Sequence, residues 1–70
     1  MELQEIKSST ISKVGYDAGT KIMIVVFHSG STYEFENIPQ EIYYDFIQAK
    51  SFGKFFAQRI RPSYIFKKVQ

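Results

Sequence analysis

Ile22-Met23-Ile24-Val25-Val26-Phe27 is the stretch on which the fold turns. An unbroken apolar run, mostly β-branched or aromatic, suits a strand rather than a helix. Lys21 and His28 bound it, and turn residues stand outside: Asp17-Ala18-Gly19-Thr20 before, Ser29-Gly30-Ser31 after. In an extended chain Ile22, Ile24 and Val26 point to one side, Met23, Val25 and Phe27 to the other. A strand that is apolar on both sides belongs in the middle of a sheet, covered above and below. In so short a chain, a second copy of the protein is a natural cover, so a homo-oligomer is expected.

Working outward, Ile11 and Val14 differ in parity, and Tyr16 goes with Val14. A β-bulge near Lys13 or Gly15 reconciles them on one face. The Asp17–Thr20 turn then makes a hairpin, with Gly19 expected to supply a positive φ. Beyond the second turn, Tyr33 and Phe35 alternate with Thr32, Glu34 and Glu36, the pattern of a strand with one wet face. Three strands on two short turns form an antiparallel meander.

Asn37-Ile38-Pro39 changes the period. Pro39 suits the first turn of a helix. Ile42, Tyr43, Phe46, Ile47 and Ala49 recur at helical spacing and predict a helix from about Pro39 to Lys50. Ser51 reads as the N-cap of a second short helix, carrying Phe52, Phe55, Phe56 and Ile60 and ending before Pro62. The expected fold is therefore α+β: a three-stranded antiparallel meander, then two short helices packed on one sheet face. Residues 9–64 form the core. Residues 1–8 read as a poorly ordered arm or a short edge segment, and residues 65–70 as a basic tail or an edge strand.

Seventy residues without Cys make one small domain with no disulfide and no Cys-based zinc site. A chain of this size buries only roughly 60% of its unfolded surface. Seven Phe and five Tyr compensate, because each carries a large apolar area. The opening residues lack the charged and apolar regions of a signal peptide, and no apolar run reaches the roughly 18 residues of a membrane span. A cytoplasmic protein without a membrane partner is the expectation.

Net charge is +2, unevenly spread. All seven acids lie at or before Asp45; after it come Lys50, Lys54, Arg59, Arg61, Lys67 and Lys68 with no acid at all. Such a surface attracts phosphates or an acidic protein partner. The plainer reading is a set of solvated charges paired in space with the acids of the sheet.

Catalysis finds little footing. His28 is the only histidine, and a Ser adjacent in sequence does not make a nucleophile–base pair. Glu34 and Glu36 share a strand face, but alternate exposed Glu is ordinary, and no metal site or cofactor is expected. No phosphate-cradling Gly-rich motif is present. What remains is the interleaving of cations and rings from Lys50 to Lys68. Cations hold phosphates, and rings stack on bases at about 1–3 kcal/mol each. Phe52, Phe56 and Ile60 have core spacing, so the better ligand contacts are Arg59, Arg61, Lys50 and Lys54 on phosphate, with Tyr33 and Tyr64 on bases. Ser51 and Gly53 add backbone N–H groups.

The ordered set Val14-Gly15-Tyr16-Asp17, Phe27, Gly30, Tyr33-Glu34-Phe35, Ile38-Pro39, Tyr43, Ala49, Ser51, Gly53, Phe55-Phe56, Ile60-Arg61 and Tyr64 resembles the KTSC domain family. That family is named for a domain at the C-terminus of some lysyl-tRNA synthetases and also occurs as small stand-alone proteins of bacteria and phages. Its central Tyr-X-Tyr falls on Tyr33-Glu34-Phe35, so one hydroxyl is absent here while the ring remains. The resemblance implies no catalytic activity. It implies RNA binding only by association with a tRNA-handling enzyme. The expected function is thus non-enzymatic binding of a nucleotide-type anion. The ligand is RNA in the simplest form, or a small nucleotide messenger sequestered by an oligomer. The alternative is a protein-interaction module docking on an acidic partner.

Overall fold

The computed structural model describes residues 2–70. Its centre is an antiparallel sheet of five strands in sequential order: β1 (Gln4–Glu5), β2 (Ile11–Asp17), β3 (Ile22–Phe27), β4 (Thr32–Phe35) and β5 (Phe66–Lys68). The expected meander forms the middle of this sheet, and a short strand is added at each edge. The opening segment pairs Gln4 with Val14 and Glu5 with Lys13; the closing one pairs Phe66 with Phe35 and Lys67 with Glu34. Both chain ends thus satisfy backbone groups that a three-stranded sheet leaves bare at its margins.

The register of β2 against β3 slips between Ile11 and Lys13. This bulge, next to Lys13 as the parity conflict required, lets Ile11 and Val14 both reach the buried side. The first hairpin turn differs from expectation. Lys21, not Gly19, carries the positive φ, at 60°. Gly19 instead donates its N–H to Asp17 Oδ1 at 2.9 Å, and Lys21 N–H closes the turn on the Asp17 carbonyl at 2.7 Å. In the second hairpin Gly30 does adopt φ 98°.

Two helical segments cover one face of the sheet. The first, α1 (Gln40–Ile47), is shorter than the apolar spacing predicted. Pro39 stands before it as the N-cap in an extended conformation, and the chain leaves helical geometry at Gln48. The Lys50–Ser51 stretch is then a link in which Ser51 caps the next helix, its Oγ accepting from Lys54 N–H at 3.3 Å. That helix, α2 (Phe52–Phe55), runs directly into a π-helical turn, Phe56–Ile60, closed by Arg61 N–H on the Phe56 carbonyl at 2.9 Å.

The core lies between the helices and the sheet: Ile11, Val14, Met23, Val25, Phe35, Ile38, Phe46, Phe56 and Ile60. Phe56 meets Phe35 and Phe27 edge-on at 5.3 and 5.4 Å, and Phe46 meets Phe52 edge-on at 6.0 Å. The missing hydroxyl at Phe35 suits this place, since the ring is fully buried among apolar groups. The opposite face of the sheet presents Ile22, Ile24 and Val26, flanked by Lys13, Thr32 and Glu34, and no helix of the described residues lies over it.

Candidate functional site

Where the second hairpin, the N-terminal segment and the link between the helices converge, they enclose a cleft of about 690 Å³. Three unconnected parts of the chain build its walls. The first is Lys7-Ser8-Ser9-Thr10, the second is Phe27, Ser29, Ser31 and Tyr33 of the hairpin, and the third runs from Lys50 to Lys54 with Phe56, Ala57 and Arg61.

The first wall is fixed by specific bonds. Ser8 Oγ accepts from the N–H groups of Thr10 (3.1 Å) and Ile11 (3.2 Å). His28 lies across from it. Its backbone N–H donates to the Thr10 carbonyl at 3.0 Å, and its Nε2 lies 2.8 Å from the Ser8 carbonyl. A carbonyl only accepts, so Nε2 carries a proton. His28 thus ties the N-terminal segment to the hairpin rather than partnering a nucleophilic serine.

The lining is one-signed. Lys7, Lys50, Lys54 and Arg61 line the cleft, all exposed at the surface, and among the described residues no Asp or Glu does. Among those residues the ion pair within 4 Å is Lys67 with Glu34, at 3.9 Å, so none of these four cations is held by a carboxylate. Hydroxyls from Ser8, Ser9, Thr10, Ser29, Ser31 and Ser51 alternate with them. Half-buried Phe27, Phe52 and Tyr33 supply ring surface. Unpaired cations, hydroxyl donors and rings together can hold a phosphorylated aromatic molecule.

Six of the residues singled out in the sequence meet here: Lys50, Lys54, Arg61, Ser51, Gly53 and Tyr33. Two do not. Arg59 lies over the Phe55 ring, 5.3 Å from its centre, and Tyr64 is half-buried against the core. Lys67 is occupied by Glu34 on the far face, while Lys68 lies opposite Tyr33 in the edge strand. Gly53 faces Thr10 across the cleft, where an added Cβ would meet Thr10 Oγ1 at an ordinary 3.7 Å. Sequence reading missed the Lys7–Thr10 wall, although the hydroxyl run Ser8-Ser9-Thr10 just before a strand was a visible signal of a side-chain-capped turn.

The KTSC domain profile matches residues 7–64, from the first wall of the cleft to Tyr64. The chain belongs to the KTSC domain family. It is 32% identical over 62 residues to a protein of Tsukamurella paurometabola, covering 89% of this chain and 92% of the relative. An uncharacterized protein of Stutzerimonas stutzeri is 33% identical over 64 residues, 91% of this chain and 90% of that one. The crystal structure of a KTSC domain protein from Yersinia pestis superposes with a TM-score of 0.92 at 28% identity, spanning 99% of this chain and 97% of the other. The five-stranded sheet with its two helical segments is therefore an arrangement this KTSC domain shares with a solved one.

Proposed function

We propose that this KTSC domain is a non-enzymatic binding protein for a nucleotide-type anionic ligand, held in the cleft between Lys7, Lys54 and Arg61. The supporting observation is the convergence of four cations free of carboxylate partners on one concave, ring-bearing site. A volume of about 690 Å³ lies in the usual range of small-molecule sites, which favours a small nucleotide over an RNA strand. Phosphates lie against the cations, and the base lies against Tyr33 or Phe52. The outer sheet face, with half-buried Ile22, Ile24 and Val26 under no helix of the described residues, is read as the face on which copies meet. Light scattering tests that part, since a monomer at micromolar concentration contradicts it.

Native mass spectrometry of the protein purified gently from its own host tests the reading as a whole. A co-purified mass in the nucleotide range supports it and identifies the ligand. RNA binding announces itself differently, by log affinity falling linearly with log salt. An acidic protein partner is the second reading. It draws on the exposed Ile65, Phe66 and Val69 beside Lys67 and Lys68 at the free edge of β5. Recovery of the protein with an acidic protein and no nucleotide favours that surface instead.

A further inference from the structure

The lining of the cleft narrows the ligand within the nucleotide class, a step that rests on the function proposed for this site. We propose that the cleft takes a ligand with two or more phosphate groups in its metal-free form. Two observations lead there.

The first is charge. Lys7, Lys50, Lys54 and Arg61 reach the cleft from three separate segments and have no carboxylate beside them among the described residues. One terminal phosphate brings about −1.5 to −2 at neutral pH, which leaves half of these cations unmatched. A second and third phosphate match the remainder. A protein that binds phosphates through Mg²⁺ normally supplies one or two carboxylates to the ion. No Asp, Glu or His among the described residues lines this cleft. Mg²⁺ riding on the phosphates therefore neutralises the charge that the cations recognise and finds no anionic protein ligand in return.

The second is the state of two hydroxyls. Ser8 Oγ already accepts two backbone N–H groups, and Ser51 Oγ accepts one from Lys54. Each hydroxyl has a single proton and two acceptor positions, of which the backbone takes both at Ser8 and one at Ser51. The O–H of each is thus left to donate, and both line the cleft on opposite walls. Two separated donors that prefer anionic oxygens suit a chain of phosphates better than a single one.

The test is calorimetric titration of the full chain with AMP, ADP and ATP at constant ionic strength, in EDTA and then in excess Mg²⁺. Affinity is expected to rise from AMP to ATP by about tenfold or more in EDTA. Excess Mg²⁺ is expected to weaken ATP binding by about fivefold or more while leaving AMP nearly unchanged. Lys7→Ala, at an exposed position, should shrink the ATP-to-AMP ratio. Equal affinity for AMP and ATP, or tighter ATP binding with Mg²⁺, overturns this inference and leaves the nucleotide reading standing. No binding of any of the three overturns both.

Discussion

Lys54 and Arg59 stand on the same helical segment and serve different ends. Lys54 joins Lys50 and Arg61 on the wall of the cleft, while Arg59 turns away and lies over Phe55. The same division runs through the rest of the basic third, where Lys67 is spent on Glu34. A block of cations in a sequence is therefore not one surface. Which of them can meet a ligand is decided by which face of the helix or strand each occupies, and by whether a neighbouring ring or carboxylate already engages it.

The sharpest way to break this comparison is to remove two cations from each side. Lys54→Ala with Arg61→Ala is expected to weaken ATP binding by about 100-fold or more, since each charge-assisted contact contributes about 1.5–3 kcal/mol. Arg59→Ala with Lys67→Ala is expected to stay within about twofold. Equal losses in isothermal titration would erase the distinction.

A milder probe acts through the backbone that carries Lys54. Ser51→Ala removes the cap on α2 and should cost about 1 kcal/mol in urea unfolding, with a few-fold loss of binding as Lys54 loosens and the Ser51 O–H is lost from the cleft. The matching change away from the cleft is Lys67→Ala. It should cost less than about 1 kcal/mol, fade further with added salt, and leave binding intact.

A pH series separates the cleft from another part of the molecule. Tyr16 and Tyr43 stack at 4.7 Å, and the Tyr16 hydroxyl donates to the Ile38 carbonyl. Burial raises both phenols above their ordinary value of 10.0, with Asp17 adding to the effect at Tyr16. A raised phenol favours the neutral form in the folded state, so its stabilisation is fully present below pH 10.0 and is lost as pH rises through the folded-state value. Melting temperature should fall as pH rises above 10.0, and less steeply in Tyr43→Phe, whose nucleotide binding at neutral pH should match the parent protein.

Much of the fold was legible because its signals are local. The parity conflict between Ile11 and Val14 demanded a bulge, and the slip between Ile11 and Lys13 supplies it. Ser51 was recognisable as a cap, and Phe56 and Ile60 as core. The shorter α1 was not, because Ala49 keeps helical spacing after the backbone has left the helix at Gln48. The positive φ at Lys21 was hidden behind the obvious candidate, Gly19, which takes an Asp17 side-chain bond instead.

The cleft was half legible for a related reason. Its contributors after Lys50 share a charge pattern that can be read along the chain. Its first wall depends on Ser8 meeting His28, a contact between residues far apart in sequence that follows from pairing β2 with β3, where Ile11 lies opposite Phe27, and not from any motif. Arg59 and Arg61, two residues apart, fall on different sides of the helical segment, and the spacing of Phe56, Ala57 and Ile60 gives no sign that its last turn departs from α geometry.

The most direct test of the cleft as the binding site is an amide NMR titration of the protein with ATP in EDTA. Shifts are expected to concentrate at Ser8, Ser9, Thr10, Ser29, Ser51 to Lys54 and Arg61, with little change at Ile24, Lys67 or Lys68. Shifts centred on the outer sheet face or on β5, with the Ser8 and Ser51 amides unmoved, contradict binding in the cleft.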